Sequence, residues 1–241
     1  MPTTTERFVN TTASLRDELV GQGRRVQAMV DAAFEAIFLA SSDRAAWVVA
    51  HDDIVDAVDV ALERSCVELL TEATGSGAQL SESQLRLVLT IVKVNNELER
   101  TADVAVELAE MVLSSKVMAG NGGQCLPDTF RVMANSVLGI VRDVNSSVEQ
   151  LDPALANIVL QSQHAVTAFK DAVLRSAEIK LARNEMTADF AFSLHEIATA
   201  CEIIADHCSN IAEQVIYLTT GAVVRHGHSS WERVHSTKTA G

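Results

Sequence analysis

The chain contains Leu98-Glu-Arg-Thr-Ala-Asp-Val-Ala-Val-Glu-Leu-Ala-Glu110 and, 103 residues further on, Cys201-Glu-Ile-Ile-Ala-Asp-His-Cys-Ser-Asn-Ile-Ala-Glu213. Both stretches place one acid four residues before another, Glu99 before Asp103 and Glu202 before Asp206. Residues four apart lie on one face of a helix, so each stretch predicts two neighbouring carboxylates. Like charges this close repel each other unless a cation lies between them, and a metal ion is the obvious candidate.

Apolar residues throughout the chain recur with the period of a helix. Leu15, Leu19, Val26 and Met29, for example, are spaced by three, four or seven residues, and no run alternates as a strand does. Hydrophobic residues make up 48% of the chain, aromatic residues only 4%, and there are three prolines, which suits helices packed through small aliphatic side chains. We predict an all-α protein with six helices, near residues 5–40, 42–72, 80–117, 127–150, 153–186 and 188–222.

The repeat extends beyond the acidic stretches. Three apolar positions recur at an offset of 111 residues, pairing Ala45, Val48 and Val55 with Ala156, Val159 and Val166. The acidic stretches have an offset of 103, and the difference is absorbed if the connection near residues 71–83 is longer in the first half. The sequence therefore predicts two pseudo-symmetric three-helix bundles, residues 1–118 and 126–222, followed by a tail of residues 223–241.

Charge, cysteine content and hydropathy exclude several classes of protein. A net charge of −13 disfavours nucleic-acid binding, which needs clustered Lys and Arg. The four cysteines show neither metal-binding spacing nor the density of a disulfide scaffold, so we expect them reduced. No signal peptide or uncharged run of about 18 apolar residues is apparent. We expect a cytoplasmic protein that does not insert into the membrane directly.

Two segments resemble the signature segments of the PhoU family: Asn96-Glu-Leu-Glu-Arg-Thr-Ala-Asp103 and Ser209-Asn-Ile-Ala-Glu-Gln-Val-Ile-Tyr-Leu-Thr-Thr-Gly221. The resemblance implies a helical, cytoplasmic phosphate-signalling protein made of two three-helix bundles, which forms a homodimer. It also implies paired acidic motifs that bind iron or zinc in multinuclear clusters. The implied partners are a phosphate ABC transporter and a phosphate-sensing histidine kinase, and the implied role is to damp the phosphate-starvation response.

In the first half, a second acidic pair accompanies the motif. Asp52 and Asp56 are four apart on the second predicted helix, and a helical projection places them, with Asp59, in the arc that holds its apolar residues. Burial of unpaired carboxylates is costly, so Asp52, Asp56, Glu99 and Asp103 are expected to converge on a bound cation. Carboxylate oxygens are hard ligands that suit magnesium, calcium, manganese or iron.

In the second half, Gln163 and Thr167 occupy the positions that match Asp52 and Asp56. Glu202 and Asp206 remain as candidate metal ligands, with Asn210 as a further contributor. His207 is next to Asp206 and therefore points about 100° away, which favours a core histidine over a ligand. His226, His228 and His235 in the tail could bind zinc, although a frayed or loosely docked terminus is the simpler interpretation.

No motif indicates an enzyme. The sequence lacks a P-loop, a nucleotide-binding glycine fingerprint and a nucleophile elbow. A ferritin-like di-iron oxidase would need two Glu-x-x-His motifs on core helices, and the spacing occurs only at Glu232 to His235 in the tail. The alternatives to a phosphate regulator are an accessory protein of another transporter, a metal-binding helical scaffold, and a helical adaptor whose acids form a solvated stripe.

Overall fold

The computed structural model describes residues 4–114, 125–226 and 231–234, and side chains from residue 6 to 114 and from 125 to 224. It has the predicted six helices, which we number in chain order: α1 Thr4–Leu39, α2 Ser42–Gly75, α3 Glu82–Ser114, α4 Asp128–Gln150, α5 Pro153–Ala182 and α6 Ala188–Thr220. Wherever a predicted helix end lies among the described residues, it falls within four residues of the observed one. The all-α prediction is confirmed.

Local chemistry accounts for several helix ends. Asp152 caps the start of α5, because its Oδ1 accepts hydrogen bonds from the backbone N–H groups of Ala154 at 2.8 Å and Leu155 at 3.2 Å. Pro153 occupies the first turn, where its missing N–H costs nothing. At the other end of the second bundle, Gly221 terminates α6 with a φ of 70°, a left-handed conformation that favours glycine.

The six helices form two bundles of three. Helices α1, α2 and α3 pack against one another, while α4 and α6 both pack against α5 and against each other. The two bundles meet where α3 packs against α6 and α1 packs against α4. All six apolar positions that defined the sequence repeat are buried: Ala45, Val48, Val55, Ala156, Val159 and Val166. The predicted domain limit at residue 118 lies within residues 115–124, which are outside the described ranges, and the limit at residue 126 lies just beyond them. Both limits stay predictions.

Beyond α6 the structure has a hairpin where a frayed or loosely docked terminus was expected. Two strands, β1 Val223–His226 and β2 Trp231–Val234, form an antiparallel hairpin, and β1 also packs against α6. Val223, Val224, Trp231 and Val234 are residue types that favour strands, a signal that helical periodicity does not reveal. Of the three tail histidines, His226 lies in β1, whereas His228 and His235 lie outside the described residues.

Two further expectations concern the cysteines and the membrane. All four cysteines are free, as predicted. No helix in the described part of the chain is both long enough and apolar enough to cross a bilayer.

Candidate functional site

Five carboxylates lie along the contact between α2 and α3, and we call them the first acidic face: Asp52, Asp56, Asp59, Glu99 and Asp103. The packing of the two helices brings the predicted groups together, since Asp103 acts electrostatically on Asp52, and Asp56 acts on Glu99. Only part of the set is removed from water. Asp52, Asp59 and Glu99 are half-buried, whereas Asp56 and Asp103 are exposed, which corrects the expectation that all of them lie on a buried surface.

The electrostatics of the first acidic face disfavour negative charge. Partial burial, followed by repulsion from Asp103, Asp59 and Asp56 and a hydrogen bond with Asp103, raises the pKa of Glu99 to about 7. Burial and four neighbouring carboxylates, Asp56 and Asp103 foremost, also raise the pKa of Asp52. The pKa of Asp59 is raised by burial and by Glu63 and Asp56, against the hydrogen bond from Asn95. A cation placed among these groups would relieve their repulsion.

One atom of this face indicates that it can accept a cation. Oδ1 of Asp52 is buried and has no hydrogen-bond partner, which is costly for a carboxylate oxygen. Asp59, in contrast, accepts a hydrogen bond from Asn95 Nδ2 at 2.7 Å. Within the described residues, no three acidic, histidine or cysteine side chains are already closed into a metal site. The first acidic face therefore offers open carboxylate ligands that side-chain rotation would have to bring together.

The equivalent surface of the second bundle has a different chemistry, and we call it the second face: Gln163, Thr167 and Lys170 on α5 with Glu202 and Asp206 on α6. Lys170 Nζ donates to Glu202 Oε2 at 2.6 Å, and Thr167 Oγ1 donates to Glu202 Oε1 at 2.9 Å. Gln163 Nε2 donates to Asp206 Oδ1 at 2.7 Å. Both predicted acids of this half thus have partners from α5.

These contacts stabilise the ionised form of Glu202. Burial alone would raise its pKa, but the hydrogen bonds from Lys170 and Thr167 and the charge of Lys170 outweigh burial and lower it. A metal ion would have to displace an ammonium group that is already in contact with the carboxylate. The pair Glu202 and Asp206 therefore does not fit the predicted role of an open metal site.

A third polar group joins the two bundles. Glu97 Oε2 lies 2.8 Å from His207 Nδ1 and accepts a hydrogen bond from Asn210 Nδ2 at 3.0 Å. Burial would raise the pKa of Glu97, but these hydrogen bonds and the charges of His207 and Arg100 lower it. Asn210 therefore binds Glu97 of α3. This contact corrects the expectation that Asn210 would contribute to a metal site beside Glu202. The prediction that His207 is a packed histidine agrees with its place between the bundles.

Sequence reasoning left Lys170 out of the site. The offset of 111 that pairs Asp52 with Gln163 also pairs Asp59 with Lys170, so the signal was present in the repeat. Asp59 itself was placed on the correct face by the helical projection but was not selected as a ligand. The contact of Glu97 with His207 has no comparable signal, because it depends on how the two bundles meet.

Comparison with known proteins gives one consistent result. A family model described as the PhoU domain matches residues 19–112 and again residues 130–215. The phosphate-specific transport system accessory protein PhoU of Escherichia coli K12 is 25% identical over 213 residues, which cover 88% of this chain and 85% of that protein. The PhoU homologue of Aquifex aeolicus is 27% identical over 213 residues, covering 88% of this chain and 93% of its own.

Solved structures show the same architecture. The crystal structure of PhoU from Pseudomonas aeruginosa superimposes with a TM-score of 0.81 at 25% identity, covering 89% of this chain and 99% of that one. The phosphate transport system regulatory protein PhoU from Streptococcus pneumoniae gives a TM-score of 0.80 at 22% identity, covering 91% and 100%. With the family model matched in both bundles, the chain belongs to the PhoU family.

Proposed function

We propose that this protein regulates phosphate transport and represses phosphate-starvation signalling by binding protein partners, without catalysis, in the cytoplasm. The observation that carries the proposal is the match of the PhoU domain to both bundles, combined with relatives described as accessory proteins of the phosphate-specific transport system. The expected partners are a phosphate ABC transporter and a phosphate-sensing histidine kinase, and the active form is a homodimer.

The first acidic face is the proposed metal site. Asp52, Asp56, Glu99 and Asp103 would hold a divalent or trivalent ion, with Asp59 beside them. The unpartnered Oδ1 of Asp52 and the raised pKa of Glu99 support this assignment, because both disadvantages disappear when a cation is bound. Iron or zinc is expected from family resemblance, and hard carboxylate ligands also suit magnesium or manganese.

A bound cation would supply charge neutralisation and order at this surface. With five carboxylates on adjacent helices, α2 and α3 repel each other along their acidic edge. Asp56 and Asp103 are exposed, so a partner protein could contact the same edge. Metal binding would thus connect the charge of this edge to partner docking.

The regulatory role is tested in the organism that encodes the chain. Deleting the gene should raise expression of a phosphate-starvation reporter in phosphate-rich medium and alter the uptake of labelled phosphate. The wild-type gene should restore both. If the deletion changes neither, the regulatory proposal is wrong, and a change in the uptake of another solute would favour an accessory protein of a different transporter.

The metal site is tested separately by elemental analysis of untagged, dialysed protein. Retained metal should disappear when the four proposed ligands are replaced by their amides, as Asp52→Asn, Asp56→Asn, Glu99→Gln and Asp103→Asn. A matched control removes four exposed carboxylates elsewhere, as Asp17→Asn, Glu68→Gln, Asp171→Asn and Glu178→Gln. Equal metal content in the wild type and the ligand variant would exclude this assignment.

A further inference from the structure

The two bundles present equivalent surfaces that carry different charges. The repeat aligns Asp52, Asp56 and Asp59 with Gln163, Thr167 and Lys170, and Glu99 and Asp103 with Glu202 and Asp206. The first acidic face has five carboxylates, whereas the second face has two carboxylates and one ammonium. With every group ionised, their formal charges are −5 and −1. Two surfaces of one architecture therefore differ by four charges.

The ammonium of Lys170 compensates the negative charge of Glu202 on the second face. Its Nζ is 2.6 Å from Glu202 Oε2, and the two side chains are only 18% and 23% exposed. Such shielding makes the pair less sensitive to solvent screening than an ion pair at a fully exposed surface. Thr167 donates a hydrogen bond to the other carboxylate oxygen of Glu202, and Gln163 donates one to Asp206.

We infer that Lys170 supplies the second face with a cation that belongs to the chain itself. Its ion pair with Glu202 excludes metal ions from this face. Metal binding is then confined to the first acidic face, a consequence that rests on the proposed metal site. The protein then has one surface whose charge depends on metal supply and, at the equivalent position of the other bundle, a second surface whose charge does not.

The remaining ligands of the second face are too few to compete with the lysine. A divalent ion that approaches Glu202 meets the positive charge of Lys170 and must break hydrogen bonds to both carboxylates. Gln163 Oε1 is buried without a hydrogen-bond partner, but a neutral amide oxygen attracts a cation less than the carboxylate at the equivalent position. The second face thus remains satisfied without metal.

A double-mutant cycle in excess chelator tests the role of Lys170. Lys170→Met leaves the Glu202 carboxylate uncompensated and should lower the unfolding midpoint by about 3 to 8 °C. Adding Glu202→Gln to this variant should recover at least half of the loss, because a neutral amide no longer needs a cation. The exposed Lys93 provides the control variant Lys93→Met. Equal midpoints for the two methionine variants, or no recovery in the double variant, would overturn the inference.

Titration with Mn²⁺ tests the exclusion of metal. The background carries the four amide substitutions of the first acidic face, so that binding reports on the second face. With Lys170 present, calorimetry and the Mn²⁺ paramagnetic resonance signal should show no binding. Replacing the α5 residues by aspartates, as Gln163→Asp, Thr167→Asp and Lys170→Asp, should create a Mn²⁺ site that both methods detect.

The results distinguish this inference from the proposed metal site. Binding with Lys170 present that is lost on Glu202→Gln would overturn the exclusion of metal. Absence of binding in the triple-aspartate variant, if circular dichroism shows it folded, would overturn the inference that the charge of the α5 side chains, Lys170 included, is what excludes the ion. If the wild-type first acidic face holds no metal, the metal site fails, while the Lys170 and Glu202 cycle is unaffected.

Discussion

His207 Nδ1 on α6 lies 2.8 Å from Glu97 Oε2 on α3, and this contact joins the two bundles. The carboxylate, whose pKa is lowered, can only accept, so the imidazole donates the hydrogen bond. The side chains are 14% and 16% exposed, which gives the bond a largely protein environment. Asn210 donates to the same oxygen, so one carboxylate of α3 is held by two residues of α6.

Removing this imidazole should weaken the contact between the bundles. His207→Ala leaves a half-buried carboxylate with one donor fewer and should reduce the free energy of unfolding by about 1 to 3 kcal/mol. Urea denaturation followed by circular dichroism measures the loss. His195→Ala, at an exposed position of the same helix, is the control, and an equal effect of both variants would contradict the structural role of His207.

Replacement by alanine should have opposite effects at two helical glycines, Gly23 at the contact between α1 and α4 and Gly139 at an open position of α4. A Cβ on Gly23 would lie 2.7 Å from Asn145 Oδ1, and the same asparagine donates to the Gly23 carbonyl at 2.8 Å. Gly23→Ala should therefore lower stability despite the better helix propensity of alanine. Gly139→Ala in α4 meets nothing within 4 Å and should raise stability by about 0.5 to 1 kcal/mol. Thermal unfolding of both variants checks the pair, and stabilisation by Gly23→Ala would show that the Asn145 side chain moves aside at little cost.

The effect of Glu99→Gln on the stability of the protein should change sign when a metal ion is bound to the first acidic face. In excess chelator, Glu99→Gln should raise the unfolding midpoint, because it removes a carboxylate that its neighbours repel. In Mn²⁺ the wild type should gain stability by mass action, about 2.7 kcal/mol at a hundredfold excess over Kd, and the variant should gain less. Differential scanning fluorimetry measures both conditions. Glu68→Gln, at an exposed position of α2, should gain as much stability in Mn²⁺ as the wild type.

The second face predicts a dependence on pH. The pKa of Glu202 is lower in the folded protein than in the unfolded chain, where it is about 4.5. Its ion pair therefore contributes stability above this unfolded pKa. This contribution is lost as the pH falls through the folded pKa. The difference in unfolding free energy between wild type and Glu202→Gln should be constant from about pH 6 to 8 and shrink below about pH 4.5. A difference that grows in acid would contradict the assigned ion pair.

Sequence reasoning located the acidic motifs but misjudged how they are exposed. The projection of α2 placed Asp52, Asp56 and Asp59 on one face, and the structure brings that face to α3 as expected. Asp56 is nevertheless exposed. A helical projection describes one helix alone and does not show where the contact with the neighbouring helix ends. Asn210 illustrates the same limit, since its position on α6 did not reveal that Glu97 of another bundle would be its partner.

The sequence by itself determined the six helices, their duplication and the acidic pairs four residues apart, because helical periodicity, caps and repeated motifs are local properties of the chain. Only the tertiary structure decided that Lys170 contacts Glu202 and that Glu97 contacts His207. Those pairs are 32 and 110 residues apart. Their distances depend on the rotation and separation of packed helices and on the reach of long side chains, which local sequence patterns do not specify.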